Sequence, residues 1–519
     1  MKKEQFPDTA KRNTLQPVEA QQAPAKPKLF FDISNFIGYV RMLDRYSGIQ
    51  RVVAMVLIEM AQQVEPDRLY VSYISNLDGR HYAIRVDEIG VQNFLSPSDI
   101  RGVLYGHSLG WQNLTSPGSL VRQLHRGIVG LVQIRPLRRI PLVLGKKVAG
   151  FVFGAFAGLW RRLFSRAPNA RTIRRPLRDV ASRGDRLILL DSSWHAFYGD
   201  GFTRAHADGL VIHTMVHDLI PLVAAATTDG EMPKVFGNWI RTSRDYTSVY
   251  LANSEATRRD LEAYLQSHDV QKPVRVLPLA QTGLRLASDK PAAPHLPVRA
   301  AAGVDYAFAL EVAGKSYHIR SLVNVPYVLC VGTIEARKNI WRLLIAWKSM
   351  IDLGKKDIPR LVLAGRKGWM AEQAFDLLAG TGNLYGYVSV IEGPSDEDLA
   401  FLYRNCLFTA MVSLYEGWGL PVGEALSYGK TAVVSHSTSL PEVGQDLVEY
   451  CDPLSIQSIA NAVLKLVENP VHRHALEARI RQTRLRDWSD VARELLQIVD
   501  DPAMVAADGH TAGTGAARH

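Results

Sequence analysis

Cysteine is scarce. Cys330, Cys406 and Cys451 are scattered through 519 residues, and no two stand in a CxxC pair. That usage excludes a disulfide framework and a thiolate zinc site, and it fits a reducing compartment. Nor is there an HExxH or comparable ligand spacing, so no metal is expected. The opening stretch MKKEQFPDTAKRNTLQPVEAQQAPAKPK lacks an apolar core after its lysines, so it does not read as a secretory signal. Residues 1–27 and 501–519 are expected to be disordered tails. The uncharged run from Val148 to Trp160 stops at thirteen residues, short of the roughly 20 that a spanning helix needs.

Acidic residues are missing from one long segment. Between Ser119 and Arg178 there are fourteen Lys or Arg and no Asp or Glu, more than the net charge of +10 carried by the whole chain. Within it, Leu120, Leu124, Ile128 and Leu131 share one helical face. Val148, Val152, Phe156, Leu159 and Leu163 share another, flanked by Lys146-Lys147 and Arg161-Arg162. Cations beside an aromatic-rich apolar face suit an anionic membrane surface, at about 1 kcal/mol per cation. A core hairpin with a solvated basic face is the alternative. No nucleic-acid motif accompanies the charge, so nucleic acid is not an expected partner.

The remainder, with 47% hydrophobic and 22% charged residues, has ordinary globular composition. Its length implies two or more domains. Apolar runs such as PKLFFDI, RLYVSYI, DRLILLD, LVIHTMV and YTSVYLAN alternate with helix patterns, and the alternation recurs in PYVLCVGT, PRLVLAG, VSVIEG, LFTAMVS and TAVVS. This pattern implies two parallel α/β sheets. The boundaries read as a first domain over 28–300, interrupted by the basic insertion at about 101–183. A linker over 301–325, a second domain over 326–480 and a C-terminal helix over 481–500 follow. Ligands of such sheets bind at the carboxyl ends of the strands, so chemistry should follow the apolar runs.

Four places meet that condition. After LFTAMVS comes YEGWGLPVGEALSYG, with Glu416 in a glycine turn and Glu424 in the first turn of a short helix. Gly417 and Gly419 allow close backbone approach, and helix N-terminal amides favour phosphate. A helix carboxylate can accept both ribose hydroxyls; equally, Glu424 can serve only the helix dipole and Glu416 only solvent. After PYVLCV comes GTIEARKNI, where Gly332 turns the chain and Arg337 and Lys338 offer adjacent cations for a diphosphate. LVLAG delivers Arg366 and Lys367 to the same edge. In the first half, LVIHTMV ends at His217-Asp218, a histidine placed to donate to a substrate oxygen. SGIQRV puts Gly48 at the entrance of the first long helix, a further candidate anion site, whereas NSEATRRDL is explained by Ser254 as an N-cap.

In this order and at these separations, the clusters resemble the family-4 retaining glycosyltransferases of the GT-B fold, of the group 1 type. The resemblance spans about 28–100 and 184–480, and rests on GTIEARKN, the Glu416–Glu424 pair and SHSTSLPEVGQD…YCDP. VHDLIPL and NSEATRRDL look like the matching elements of bacterial mannosyltransferases that build polysaccharide or lipopolysaccharide. The resemblance implies two Rossmann-like domains across a cleft, the first for the acceptor and the second for a nucleotide sugar such as GDP-mannose, with no metal or other cofactor. It implies Glu424 on the ribose, Glu416 near the transferred sugar, and the amides of Gly417, Trp418, Gly419 and Leu420 around sugar and phosphate. Lys338, helped by Arg337 and Gly332, would neutralise the diphosphate. Gly48 would approach it from across the cleft, and His217 would reach the sugar near the reacting carbon. Many members carry Arg where this chain has Thr333; Arg366 is the substitute cation. The expected acceptor is a lipid-linked or envelope glycan, reached from the cytoplasmic face of the membrane through residues 119–178. A soluble sucrose- or trehalose-type synthase and a non-catalytic scaffold of the same fold are the alternatives.

Overall fold

The computed structural model describes residues 26–76, 78–105, 174–194, 196–228, 230–283 and 306–501. Among them the chain forms two sheets. The first contains β1 (Leu29–Asp32), β2 (Leu69–Ile74), β3 (His81–Arg85), β4 (Arg175–Pro176), β5 (Arg186–Leu189), β6 (Val211–Val216), β7 (Val249–Ala252) and β8 (Val274–Val276), in the order β4-β3-β2-β1-β5-β6-β7-β8. Every residue of β1, β2, β5, β6 and β7 is buried. That is why these segments read as continuous apolar runs rather than alternating ones.

One edge departs from the parallel pairing expected. β2 pairs antiparallel with β3, and β3 antiparallel with β4. Only residues 75–80 join β2 to β3, far fewer than the dozen or so that a parallel crossover needs. β4 lies at the end of the basic insertion. Both apolar helical faces expected between 119 and 173 lie outside the described residues, as do most of the two tails. Among the described residues no helix is long and apolar enough to cross a membrane.

The second sheet contains β9 (Tyr327–Val331), β10 (Arg360–Ala364), β11 (Val388–Ile391), β12 (Phe408–Met411), β13 (Ala432–Ser435) and β14 (Glu449–Cys451). All its pairs are parallel, in the order β11-β10-β9-β12-β13-β14. This is the doubly wound order, and its topological switch point lies between β9 and β12. The fold is therefore the two-domain α/β arrangement expected. The linker is shorter than 301–325, however. Helices Tyr306–Ala313 and Tyr317–Arg320 fall within it, and Ile319 and Leu322 are buried with Leu329 and Val362 of the second sheet. An apolar stretch of that kind finds its burial on the nearest sheet, which places residues 306–325 in the second domain.

The chain then returns. Helix Trp488–Asp500, capped by the Asp487–Asp490 box, buries Val491, Leu495 and Val499 in the core that also holds Leu29, Val53 and Leu57 of the first domain. Two crossings thus join the domains, one near residue 281 and one near 486. They are stitched together by Gln281 N–H to the Arg486 carbonyl (2.8 Å) and Arg486 N–H to Gln281 Oε1 (3.1 Å).

Candidate active site

At the switch point the turn after β9 is set by Gly332, whose φ of 137° is closed to most side chains. A β-carbon there would also meet the Lys338 side chain at 3.4 Å. Residues Ala336–Lys338 make a tight 3-10 turn, and Asn339 follows in the left-handed region at φ 60°. Its side chain donates to the carbonyls of Val412 (3.0 Å) and Pro453 (2.7 Å). That explains why GTIEARKN and YCDP lie near one another: Asn339 ties the cationic turn to β12 and to the segment after β14.

The cations converge on one carboxylate. Lys338 Nζ lies 2.7 Å from Glu416 Oε1, and an Arg337 nitrogen lies 2.8 Å from Glu416 Oε2. Arg337 also binds Glu335 (2.7 Å) and the Tyr415 carbonyl (2.7 Å). The Glu416 backbone is pinned by Thr438 Oγ1, which accepts from its N–H at 3.0 Å, and by Ser439 Oγ, which donates to its carbonyl at 2.9 Å. Burial would raise the Glu416 pKa; Arg337 and then Lys338 outweigh it and hold the carboxyl at about 2. The group is ionised throughout the physiological range, and both cations are engaged by it.

Helix Leu420–Ser427 begins at Gly419, where φ is 116°, and ends before Gly429. Glu424 is buried on it, and both carboxylate oxygens are engaged: an Arg51 nitrogen lies 2.6 Å from Oε1, and Tyr403 OH donates to Oε2 at 2.8 Å. Arg51 comes from the other domain, on helix Gly48–Gln63, and also reaches Asp396 at 3.1 Å. Gly48, at the start of the same helix, faces the second domain, with the Leu420 side chain 3.6 Å from where its β-carbon would be.

Other contacts lock the domains together. Glu442 accepts from the N–H groups of Glu255 (2.8 Å) and Ala256 (2.9 Å). The start of NSEATRRDL is thus occupied by a carboxylate from the opposite domain, besides the Ser254 cap on Thr257 N–H (3.0 Å). Tyr415 OH donates to Asp260, and Arg45 donates to the carbonyls of Gly393 and Pro394.

His217 follows β6 and sits directly across from the glutamate loop. A β-carbon on Gly417 would stand 2.0 Å from the His217 carbonyl oxygen, so only glycine lets the domains approach this closely. Gly417 is therefore required by the opposite backbone, rather than by a ligand alone. His217 Nε2 lies 2.8 Å from the Leu190 carbonyl. A carbonyl only accepts, so Nε2 holds the proton and Nδ1 presents a lone pair. Burial depresses the ring's pKa against the opposing pull of Leu190 and Asp191. A neutral ring in this tautomer can accept a hydrogen bond at Nδ1 but not donate one there, the reverse of the direction expected from sequence.

The Trp418 side chain is buried, and its indole N–H donates to the Ala280 carbonyl at 3.1 Å, so the indole fastens the loop to the first domain, while the role expected of this residue belongs to its backbone amide. Arg366 is exposed; its charge is felt by Tyr39 across the cleft, a phenol that burial pushes up in pKa and Arg366 pulls back. Sequence reasoning missed Arg51, Tyr403, Thr438 and Ser439, and Asp191 behind His217. Arg51 was in view within SGIQRV, and Asp191 ends the run DRLILLD, where strand-end logic already pointed. Among the described residues no group of three or more His, Cys, Asp or Glu is placed to hold a metal ion.

The family described as glycosyl transferases group 1 matches residues 319–483. The chain is 33% identical over 171 residues to the O-antigen chain mannosyltransferase B of Escherichia coli, covering 33% of this chain and 44% of that protein. It is 25% identical over 299 residues to the serotype-specific mannosyltransferase WbdA of Escherichia coli, covering 56% of this chain and 34% of that one. Each match thus spans less than half of the curated relative. Among solved structures, the Anabaena protein Alr3699/HepE, crystallised with UDP and glucose, is 13% identical with a TM-score of 0.49, over 92% of this chain and 100% of that one. The segment that holds Lys338, Glu416 and Glu424 at the switch point is a group 1 glycosyltransferase domain.

Proposed function

We propose that the chain is a retaining glycosyltransferase that moves a hexose, mannose foremost, from a nucleotide sugar such as GDP-mannose to a lipid-linked or envelope polysaccharide acceptor. The observation that carries this reading is the meeting of Arg337, Lys338 and Glu416 at the switch point, facing His217 of the other domain. The names of the curated relatives support mannose and a polysaccharide product. The fourteen cations of residues 119–178 support action at an anionic membrane surface, at the cytoplasmic face.

The chemistry follows from charge. Breaking the bond from the anomeric carbon to the diphosphate oxygen builds negative charge on the leaving group. Lys338 and Arg337 exchange Glu416 for that diphosphate and lower the barrier without reorganising far. Glu416 then faces the hydroxyls of the departing sugar, and the Nδ1 of His217 accepts from another. The acceptor oxygen bonds to the anomeric carbon on the face the diphosphate leaves, and its proton passes to the leaving phosphate oxygen. Glu424 holds the ribose once Arg51 gives way.

Nucleotide release from a panel of GDP-, UDP- and dTDP-sugars, with a bacterial lipid extract as acceptor, tests the reading. GDP-mannose should be turned over at least tenfold faster than UDP-glucose, with an α-linked product by NMR. Turnover only with a small phosphorylated sugar as acceptor would replace it with a soluble synthase.

A further inference from the structure

Beside Glu416 lies an open cavity of about 190 Å3 that neither Lys338 nor Glu424 lines. One wall is the first-domain loop after β6, with Asp218, Thr227 and Thr228. The other is the second-domain turn, with Glu335, Arg337 and Trp369. Trp369 is 56% exposed, an unusual state for an indole on a loop that is otherwise fixed. Its carbonyl accepts from Ala336 N–H at 3.1 Å, and Gly368 N–H donates to the Ile334 carbonyl at 2.8 Å. The loop is thereby stitched along the turn that carries Arg337 and Lys338.

The lining has a definite chemistry. An indole face takes the C–H face of a sugar ring, while carboxylates and threonine hydroxyls take its hydroxyls. The Thr227 and Thr228 hydroxyls donate to the carbonyls of Ala224 (2.7 Å) and Ala225 (3.0 Å), so each presents its lone pairs outward as an acceptor. Asp218 accepts from Ile220 N–H at 3.0 Å, and Glu335 binds Arg337 at 2.7 Å, so both carboxylates are held in place. Arg337 is common to the cavity and the Glu416 cluster, so a ring in the cavity lies next to the reacting centre.

Resting on the transferase reading, we propose that this cavity is the acceptor-saccharide site, with Trp369 as its stacking platform and Asp218 and Glu335 as its hydroxyl acceptors. The acceptor is then recognised by both domains, not by the first alone. A flat nucleobase would also stack on an indole, but the cavity's carboxylates suit a polyhydroxyl ring, and the ribose carboxylate Glu424 does not line it.

The test uses the full chain and two readouts. Saturation-transfer NMR measures binding of methyl α-glycosides of mannose, glucose, N-acetylglucosamine and rhamnose; calorimetry measures GDP and UDP. Trp369→Ala should weaken the glycoside that wild type binds by at least fivefold and leave nucleotide affinity within twofold, while Trp369→Phe keeps most saccharide binding. Unchanged saccharide binding in Trp369→Ala overturns the proposal, as does a wild type that binds none of the four glycosides. Joint loss of nucleotide and saccharide also overturns it, because the indole would then serve the nucleobase. A wild type that binds saccharide through Trp369 but no nucleotide keeps this site and removes the donor reading instead.

Discussion

Glu416 and Glu424 sit on one short motif, both buried and both paired with a cation, yet their partners come from different places. Glu416 is held by Arg337 and Lys338 of its own domain. Glu424 is held by Arg51 of the opposite domain, and by Tyr403 of its own. The cations of the proposed diphosphate end are therefore preformed within the second domain, where they would trade Glu416 for the diphosphate. The ribose end depends on how the two domains meet, and its carboxylate has to exchange one partner for another when a nucleotide enters. Two glutamates that look equivalent in sequence report on different events.

Three measurements would break or sharpen that contrast. The largest effect belongs to the preformed end: Lys338→Ala should slow nucleotide release by about 100- to 1,000-fold, the cost of losing one fixed charge at a developing anion. A rate near wild type would defeat the donor-site assignment. At the other end the signs should split. Glu424→Ala should weaken GDP binding about tenfold or more by calorimetry, whereas Arg51→Ala should tighten it roughly three- to tenfold by removing the competitor. Weakening by both would mean that Arg51 serves the nucleotide itself.

The smallest effect is a pH dependence. The Glu416 carboxyl titrates at about 2 in the fold against an ordinary 4.5. A depressed folded pKa contributes stability that is complete above the unfolded value and lost as pH falls toward the folded one. In urea unfolding, the advantage of wild type over Glu416→Gln should stay level above about pH 5 and shrink between about pH 5 and pH 3. An advantage that does not shrink would remove the ion-pair account.

Much of this was legible because the signals were local. Helix Gly48–Gln63 starts at the glycine that SGIQRV set at its entrance, and the Ser254 cap of NSEATRRDL forms as expected. β3, β4, β8 and β14 were not read, since Arg85, Arg175, Arg275 and Glu449 interrupt or bound them and none forms a long apolar run. The helices at 306–320 were hidden by the Pro- and Ala-rich stretch before them. In the site, the residue types of GTIEARKN and YEGWG pointed to cations and carboxylates without showing that they pair. Arg51 with Glu424, Glu442 with Ala256, and the His217 carbonyl with Gly417 join positions 160 or more residues apart. No local pattern encodes such pairs, and Trp369 stood in the sequence only as a neighbour of Arg366 and Lys367.

The stitched crossings at Gln281 and Arg486 carry a mechanical consequence. Two chains running side by side behave like two pins on one door. Two such ties leave rotation about the line through both as the motion that strains them least, while sliding or twisting one domain on the other would pull them apart. A swing about that line would have to part Arg51 from Glu424, along with the other contacts between the domains, and would move the Trp369 wall of the cavity away from the Asp218 wall. On the proposed reading, the nucleotide and the acceptor would then be admitted by one and the same movement.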